Sequence, residues 1–423
     1  MLRPLSLLLA YAVLAVPVAA QTSAQTSAAD RVLADVRYLA DDRLEGRLTG
    51  SPGADSAAAF IARAFEAAGL APPAGGWFQD FVVSADAPAA RHAEVGGVRG
   101  RNVIGVLHGT DPKRRTGVVV VGAHYDHLGR GGSFALDPDS TGAVHNGADD
   151  NASGTAALID IARQLGRRPP AQTVVFVAFA GEELGLLGSS HYVRNPVAPI
   201  EQTLAMVNLD MVGRLRDDRL IVYGTGTATE FPALIDSLNR DFGFDVASRP
   251  DGYGPSDQSS FYAAGVPVLH LFTNVHEDYH RATDDWPKID AGGLARVAGL
   301  AADLVTAIAG QPQRLTFVQQ RVPAHGRDAA GIGGYGAYLG TVPDMGGGVA
   351  GVRLAGVRAG SPAEKAGLRA DDVITRIGER DTPDLEAMTQ ALRSHRPGDV
   401  VEIVVRRGDT LTTLTATLGS RGS

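Results

Sequence analysis

The sequence predicts an α/β protein in which a mixed, mostly parallel central sheet is flanked by helices, followed by a second, smaller β-rich domain. Three observations predict it. Between residues 30 and 310, apolar runs of strand length alternate with segments of helical period, the pattern of a sheet wrapped by helices. Four of those runs are followed, directly or after a short loop, by histidine, aspartate or glutamate. Side chains at the carboxyl ends of strands lie where open α/β sheets bind their ligands. From residue 326 the pattern changes to short strand-like segments with two brief helical ones, at 361–366 and 383–392, which reads as a separate unit.

In chain order, residues 1–20, MLRPLSLLLAYAVLAVPVAA, set Arg3 before an apolar stretch closing on Val18, Ala19 and Ala20. This is the pattern of a secretory signal cut after Ala20, and Pro17 interrupts it too early for a membrane span. Export to the periplasm or the extracellular space is therefore expected. Residues 21–29, QTSAQTSAA, are polar and low in complexity and are expected as a disordered spacer. Residues 33–39 and 57–68 carry helical periodicity around the turn-forming DDRLEGRLTGSPG, predicting helix, turn, helix on the outside of the sheet. Residues 75–83 and 101–107 read as edge strands. The first domain then runs over 30–310, a glutamine- and proline-bearing linker over 311–325, and the second domain over 326–418. No segment after the signal reads as long and apolar enough to cross a bilayer.

Composition narrows the function. The 423 residues carry a net charge of −8, concentrated in the first domain, which argues against nucleic acid or an anionic membrane surface as partner. There is no cysteine, so a thiolate nucleophile and thiolate metal ligands are ruled out, and any zinc must be held by histidine and carboxylate.

The chemistry is concentrated at the strand ends. The run TVVFVAF (173–179) leads into the adjacent acids Glu182 and Glu183, which repel each other unless positive charge lies near, as a divalent cation would supply. The run at 117–123 ends in His124, Tyr125 and Asp126, that at 204–209 in Asp210, and that at 265–272 in a loop holding His276, Glu277 and His280. The turn HNGADDNASG (145–154) feeds the helical pattern of 155–165. Four strand ends and one helix start that all present His, Asp or Glu point to one site with two metal ions.

This arrangement, with His124-x-Asp126, Asp150 in GADDNASG, Glu182-Glu183, Asp210 in NLDM and His280 in order, resembles the co-catalytic zinc aminopeptidases of peptidase family M28 over roughly residues 30–310. The resemblance implies a zinc-exopeptidase-like fold and two Zn2+ ions. It implies that Asp150 bridges both ions, that His124 and Asp210 complete one and Glu183 and His280 the other, and that Glu182 stays off the metals as general base. A bridging carboxylate holds such ions ~3.5–4 Å apart, close enough to share and acidify one water. Asp126 is then the expected acceptor for the His124 imidazole N–H, and Tyr279 is a candidate to polarise the scissile carbonyl. The implied activity is removal of residues from free peptide N-termini. Alternatives are another M28-type hydrolase, carboxypeptidase-like in action, and a non-catalytic peptide-binding protein; the second predicts loss of the base or of a ligand, and all are present.

Other readings of the same residues are weaker. Asp149 could exchange roles with Asp150, although the Asp-x-x-Ser-Gly spacing favours Asp150 and leaves Asp149 to cap the next helix. His127, His145, His270 and His276 each read as satisfied or solvent-facing histidines. His276-Glu277-Asp278-Tyr279-His280 spells H-E-x-x-H, which binds a single zinc only when a helix sets its histidines one turn apart; this match follows a strand and meets Pro287 soon after. Ser153 lacks the surroundings of a nucleophile elbow. The loop around 251–261 is expected to help form the pocket for the substrate's first side chain.

The C-terminal unit resembles a bacterial PDZ domain through AYLG (337–340), SPAEKAGL (361–368) and the DVI stretch that follows. Such a domain takes a peptide as an added strand with its carboxylate in a backbone nest. The resemblance places Tyr338, Leu339 and Gly340 in the carboxylate-binding loop and implies peptide capture or regulation.

Overall fold

The structure, a computed structural model, describes residues 18–85, 87, 95–114, 117–132, 134–140, 142–254, 256–320, 337–344 and 349–419. The first domain is an eight-stranded sheet between two helical layers. In chain order it comprises helices α1 (Val18–Leu39) and α2 (Pro52–Ala67), strands β1 (Phe78–Val82), β2 (Arg99–Leu107) and β3 (Val118–His124), α3 (Gly154–Arg167), β4 (Thr173–Phe179), α4 (Leu187–Arg194), β5 (Thr203–Leu209), β6 (Arg219–Tyr223), α5 (Phe231–Phe242), β7 (Asp245–Arg249), α6 (Gln258–Ala263), β8 (Val268–Phe272) and α7 (Ala291–Gly310). The sheet order is β1-β2-β4-β3-β5-β8-β6-β7. Pairing is parallel among β4, β3, β5 and β8, and antiparallel where β2 meets β4 and where β6 meets β8. The expected mixed, mostly parallel core is this inner group of four.

Every residue of β3, β4 and β5 is buried, because each strand is covered on both faces. Their period-two alternation divides the core. Val119, Val121, Val174, Phe176 and Ala178 pack with α1, α2, α3 and α7, whereas Val118, Val120, Val175, Val177 and Phe179 join Tyr192 of α4 and Phe261 of α6. Helix starts follow local chemistry: Ser51 accepts from Ala54 N ahead of Pro52, and Asp290 accepts from Gly293 N at the head of α7.

Three expectations need correction. Residues 101–107 belong to β2, which lies inside the sheet between β1 and β4; among the described residues the edges are β1 and β7. Residues 21–29, expected as a disordered spacer, fall within α1; alanine and glutamine favour helix, and the segment continues into residues such as Val32, Val36 and Leu39 that the core buries. Helix α7 is in fact long and apolar enough to span a membrane by length and composition, with mean hydropathy 1.4. It is instead a core helix, with Leu294, Val297, Leu304 and Val305 buried against the sheet and its neighbours. The expected signal at 1–20 lies outside the described residues over 1–17.

The second domain has its own antiparallel sheet and core. Strands β9 (Thr341–Pro343), β10 (Val352–Val357), β11 (Val373–Ile377), β12 (Arg380–Asp381), β13 (Val400–Arg407) and β14 (Thr410–Thr417) accompany α8 (Pro362–Lys365) and α9 (Leu385–Arg393). Leu354, Ile374, Ile377, Ile403 and Val405 fill its interior. It touches the first domain at α4 and the loop before α6: Arg194 and Ser190 reach Asp344 at 2.5 and 3.3 Å, and Arg358 bonds Asp251 at 2.7 Å while lying over the Tyr253 ring. Val342 of β9 packs on the apolar cluster beneath.

Candidate metal centre

The parallel register of the inner strands assembles the site. Gly122 of β3 pairs with Asn208 of β5, which sets His124 level with Asp210, and His124 pairs with Phe179, three residues before Glu182. Asp150 comes from the turn over residues 148–153 that opens α3. His280 comes from the loop after β8, held with φ of 54°.

The five residues expected as ligands converge. His124 Nε2 lies 3.4 Å from Asp150 Oδ1 and 3.3 Å from Asp210 Oδ1, and His280 Nε2 lies 3.2 Å from both Asp150 Oδ2 and Glu183 Oε2. With zinc–ligand bonds of about 2.0–2.1 Å, tetrahedral geometry sets neighbouring ligand atoms roughly 3.3 Å apart. These separations fit two adjoining cation positions with one oxygen of Asp150 in each. Glu182 Oε2, 3.9 Å from His124 Nε2, stands beside the first set at a longer spacing. His127 Nδ1 is also near, yet at 2.7 Å from Glu183 Oε1 it sits at hydrogen-bond distance, shorter than two ligands of one zinc would stand. It therefore orients Glu183.

The charge balance also suits cations. Burial would raise the Asp150 carboxyl, but hydrogen bonds from His124 and His280 hold it well below the usual range. Burial and the Asp150 charge oppose ionisation of Glu183, and the His280 and His127 imidazoles hold it at about 2. His280 is carried against burial to about 11 by Glu183 and Asp150. Glu182 moves the other way: burial pushes its carboxyl well above the ordinary range, opposed by His124 and reinforced by Glu183 and Asp210. Carboxylates that draw protons onto neighbouring imidazoles form a field that divalent cations would satisfy better.

Supporting residues differ in part from expectation. His124 Nδ1 faces the main-chain oxygen of Asp126 at 3.2 Å, while the Asp126 carboxylate is 3.7 Å away. That carboxylate instead accepts from Glu182 N at 3.2 Å, because β3 and β4 end side by side. Asp149 does not cap α3: its oxygens accept from Gly213 N at 2.7 Å and pair with His276 Nε2 at 3.1 Å. His276 and His280 thus act apart, and the loop between them holds no helix. His145 pairs with Asp137 at 2.9 Å. Tyr279 stacks on the His280 ring with centroids 3.9 Å apart and borders the same cleft as the ligands. Of the C-terminal loop, Tyr338 N is taken by Gly419 O at 2.7 Å and is not free to donate to a peptide carboxylate.

Several residues here carry no motif signal. Asp284 accepts from the main-chain N of Asp149 and of Asp150, clamping the turn. Met211, Tyr223, Phe272 and Val275 line the same cleft as Asp150, Glu182, Glu183, Asp210 and His280. His270 shares that wall, its imidazole lowered by burial to about 4 and thus neutral. The loop at 251–261 does not line this cleft. Asp257 lies wholly buried behind it with neither oxygen hydrogen-bonded, pushed up to about 7 by burial.

Residues 102–305 match the family model of Peptidase family M28, and residues 325–418 that of the PDZ domain. The aminopeptidase YwaD of Bacillus subtilis (strain 168) is 32% identical over 217 residues, 49% of this chain and 43% of the relative. A Zn-dependent exopeptidase from Parabacteroides distasonis ATCC 8503 superposes with TM-score 0.55 at 20% identity, over 66% of this chain and 97% of that one. A glutaminyl cyclase from Porphyromonas gingivalis gives TM-score 0.54 at 20% identity, over 66% and 98%. The chain spans less than half the length of the curated relatives it matches. The structural likenesses are likenesses of fold, and since peptidase and cyclase share it, the site must choose the chemistry.

Proposed function

From residues 102–305 as a peptidase family M28 domain and residues 325–418 as a PDZ domain, we propose that this chain is a zinc aminopeptidase that hydrolyses the N-terminal peptide bond with two metal ions. His124, Asp150 and Asp210 would hold one zinc, and Asp150, Glu183 and His280 the other. Zinc supplies Lewis acidity when bound: it acidifies water and polarises a carbonyl oxygen. Glu182 takes the proton of the attacking water on its carboxylate and passes it to the leaving amine. Tyr279 directs its phenol toward the carbonyl oxygen of the substrate. The neutral, largely aromatic wall of Met211, Tyr223, His270 and Phe272 takes an apolar first side chain and excludes water. The C-terminal domain adds peptide capture or regulation, and export rests on residues 1–20.

The observation that carries this reading is Asp150, whose two oxygens each lie within 3.4 Å of a different histidine nitrogen. The test is metal analysis of the purified protein beside hydrolysis of amino-acyl anilides with free and N-acetylated amines. Two zinc per chain and cleavage of only the free amines are expected. Equal cleavage of blocked substrates would remove the aminopeptidase assignment, and one zinc or none would remove the two-metal mechanism.

A further inference from the structure

The segment DDRLEGRLTGSPG, residues 41–53, lies ahead of the 102–305 match and contributes no ligand, yet it packs against three of the turns that do. Arg47 is fully buried, and its guanidinium donates to the main-chain oxygens of Leu39, Tyr125 (2.7 Å), Asn146 (2.6 Å) and Gly147 (3.0 Å). A guanidinium cannot shed its charge by deprotonation. The charges that face it are acids of the site and its surroundings, Asp126, Asp150, Asp284 and Glu183. Thr49, 1% exposed, donates from Oγ1 to Asp126 Oδ2 at 2.9 Å and accepts from Gly181 N at 2.9 Å. The other Asp126 oxygen accepts from Glu182 N, and the Asp126 main-chain oxygen faces His124 Nδ1.

We propose that Arg47 and Thr49 are positioning residues of the metal centre. Arg47 ties the exit of β3, at Tyr125, to the start of the Asp150 turn, at Asn146 and Gly147. Thr49 locks the Asp126 carboxylate to the Gly181–Glu182 main chain, fixing the base and the ligand beside it. Neither touches the cations or the substrate; both act through the backbone that aims the ligands. The proposal rests on the two-zinc reading above.

Thr49→Val keeps the shape and removes the hydroxyl; Thr49→Ser keeps the hydroxyl. In metal-free full-length protein, hydrogen exchange at Gly181 and Glu182 is expected at least tenfold faster in Thr49→Val, a readout that needs neither zinc nor substrate. Affinity for Zn2+, measured by competition with a chromophoric chelator, should fall 10–100-fold, and kcat tenfold or more with KM within twofold. Thr49→Ser should restore all three. Arg47→Lys, which keeps the charge but cannot span four carbonyls, should also lose at least tenfold in zinc affinity. Thr49→Val within twofold of wild type in exchange, zinc affinity and kcat overturns the role of Thr49, and a wild-type affinity in Arg47→Lys overturns that of Arg47. If Thr49→Val does not fold, Thr49→Ser decides: near-wild-type values sustain the proposal and tenfold losses overturn it. A wild-type protein that takes up no zinc, with the exchange difference intact, counts against the proposed function alone.

Discussion

At the residue scale, Glu182 stands apart from the candidate ligands by little more than half an ångström of spacing, and a substitution tests that separation. Glu182→Gln should keep its zinc and lose turnover by 10²–10⁴-fold, the usual worth of a positioned general base, measured as kcat on an amino-acyl anilide beside metal content. Loss of metal in step with activity would make Glu182 a ligand. His127→Leu tests the opposite role: removing the hydrogen bond between Nδ1 and Glu183 should weaken zinc binding about 10–100-fold. Asp257 gives a prediction in pH. Its folded carboxyl is raised by burial to about 7 from 3.8, so the folded state holds a proton that the unfolded state releases between those values. Stability of the metal-free protein therefore falls as pH rises from about 4 to 7. Asp257→Asn should raise Tm by several degrees at pH 8 and change it little at pH 4, read by thermal melting; equal effects at both values would show that the site is not strained by charge. The candidate ligands were legible in the sequence because they are His, Asp or Glu grouped after apolar runs or, for Asp150, in the polar turn that opens a helix. His127, Asp284 and Thr49 were not, since their roles depend on a partner from 56 to 135 residues away.

At the scale of elements, the segment joining α1 to α2 is the least forgiving. Gly46 has φ of 69°, and a Cβ there would stand 2.3 Å from Gly129 O and 2.5 Å from His145 O, both backbone atoms. Gly46→Ala should therefore cost at least about 2 kcal/mol in denaturant unfolding, from left-handed strain and overpacking together. A loss under about 0.5 kcal/mol would mean that the turn relaxes freely. The helical periods that flank this segment were readable in the sequence, but its path was not, because glycines and charged residues carry no periodicity. Residues 251–261 show the same limit. They were expected to help form the pocket as a loop, whereas Tyr253 and Asp251 meet Arg358 and Asp257 is fully buried. Strand β2 was misplaced at an edge because its antiparallel partner β4 also serves the parallel core.

At the scale of the whole molecule, two cores are joined by a modest contact. The Arg194–Asp344 pair leaves the arginine side chain 41% exposed and open to solvent screening, with the aspartate side chain 4% exposed. A chain ending after Gln320 keeps the bridge between Ala228 and Phe317 and should fold with its Tm lowered by only a few degrees. Insolubility of that chain would show that the second domain completes the first. The two-unit layout was readable from the change in strand length near residue 326, while the docking of β9 and β10 on α4 and α6 was not, since the contact is built from single residues scattered over both units. The central claim remains that two cations share Asp150. Anomalous diffraction at the zinc edge from crystals of the full chain tests it most directly. Two peaks about 3.5–4 Å apart, one on each oxygen of Asp150, are predicted; a single peak, or peaks that leave Asp150 uncoordinated, would contradict it.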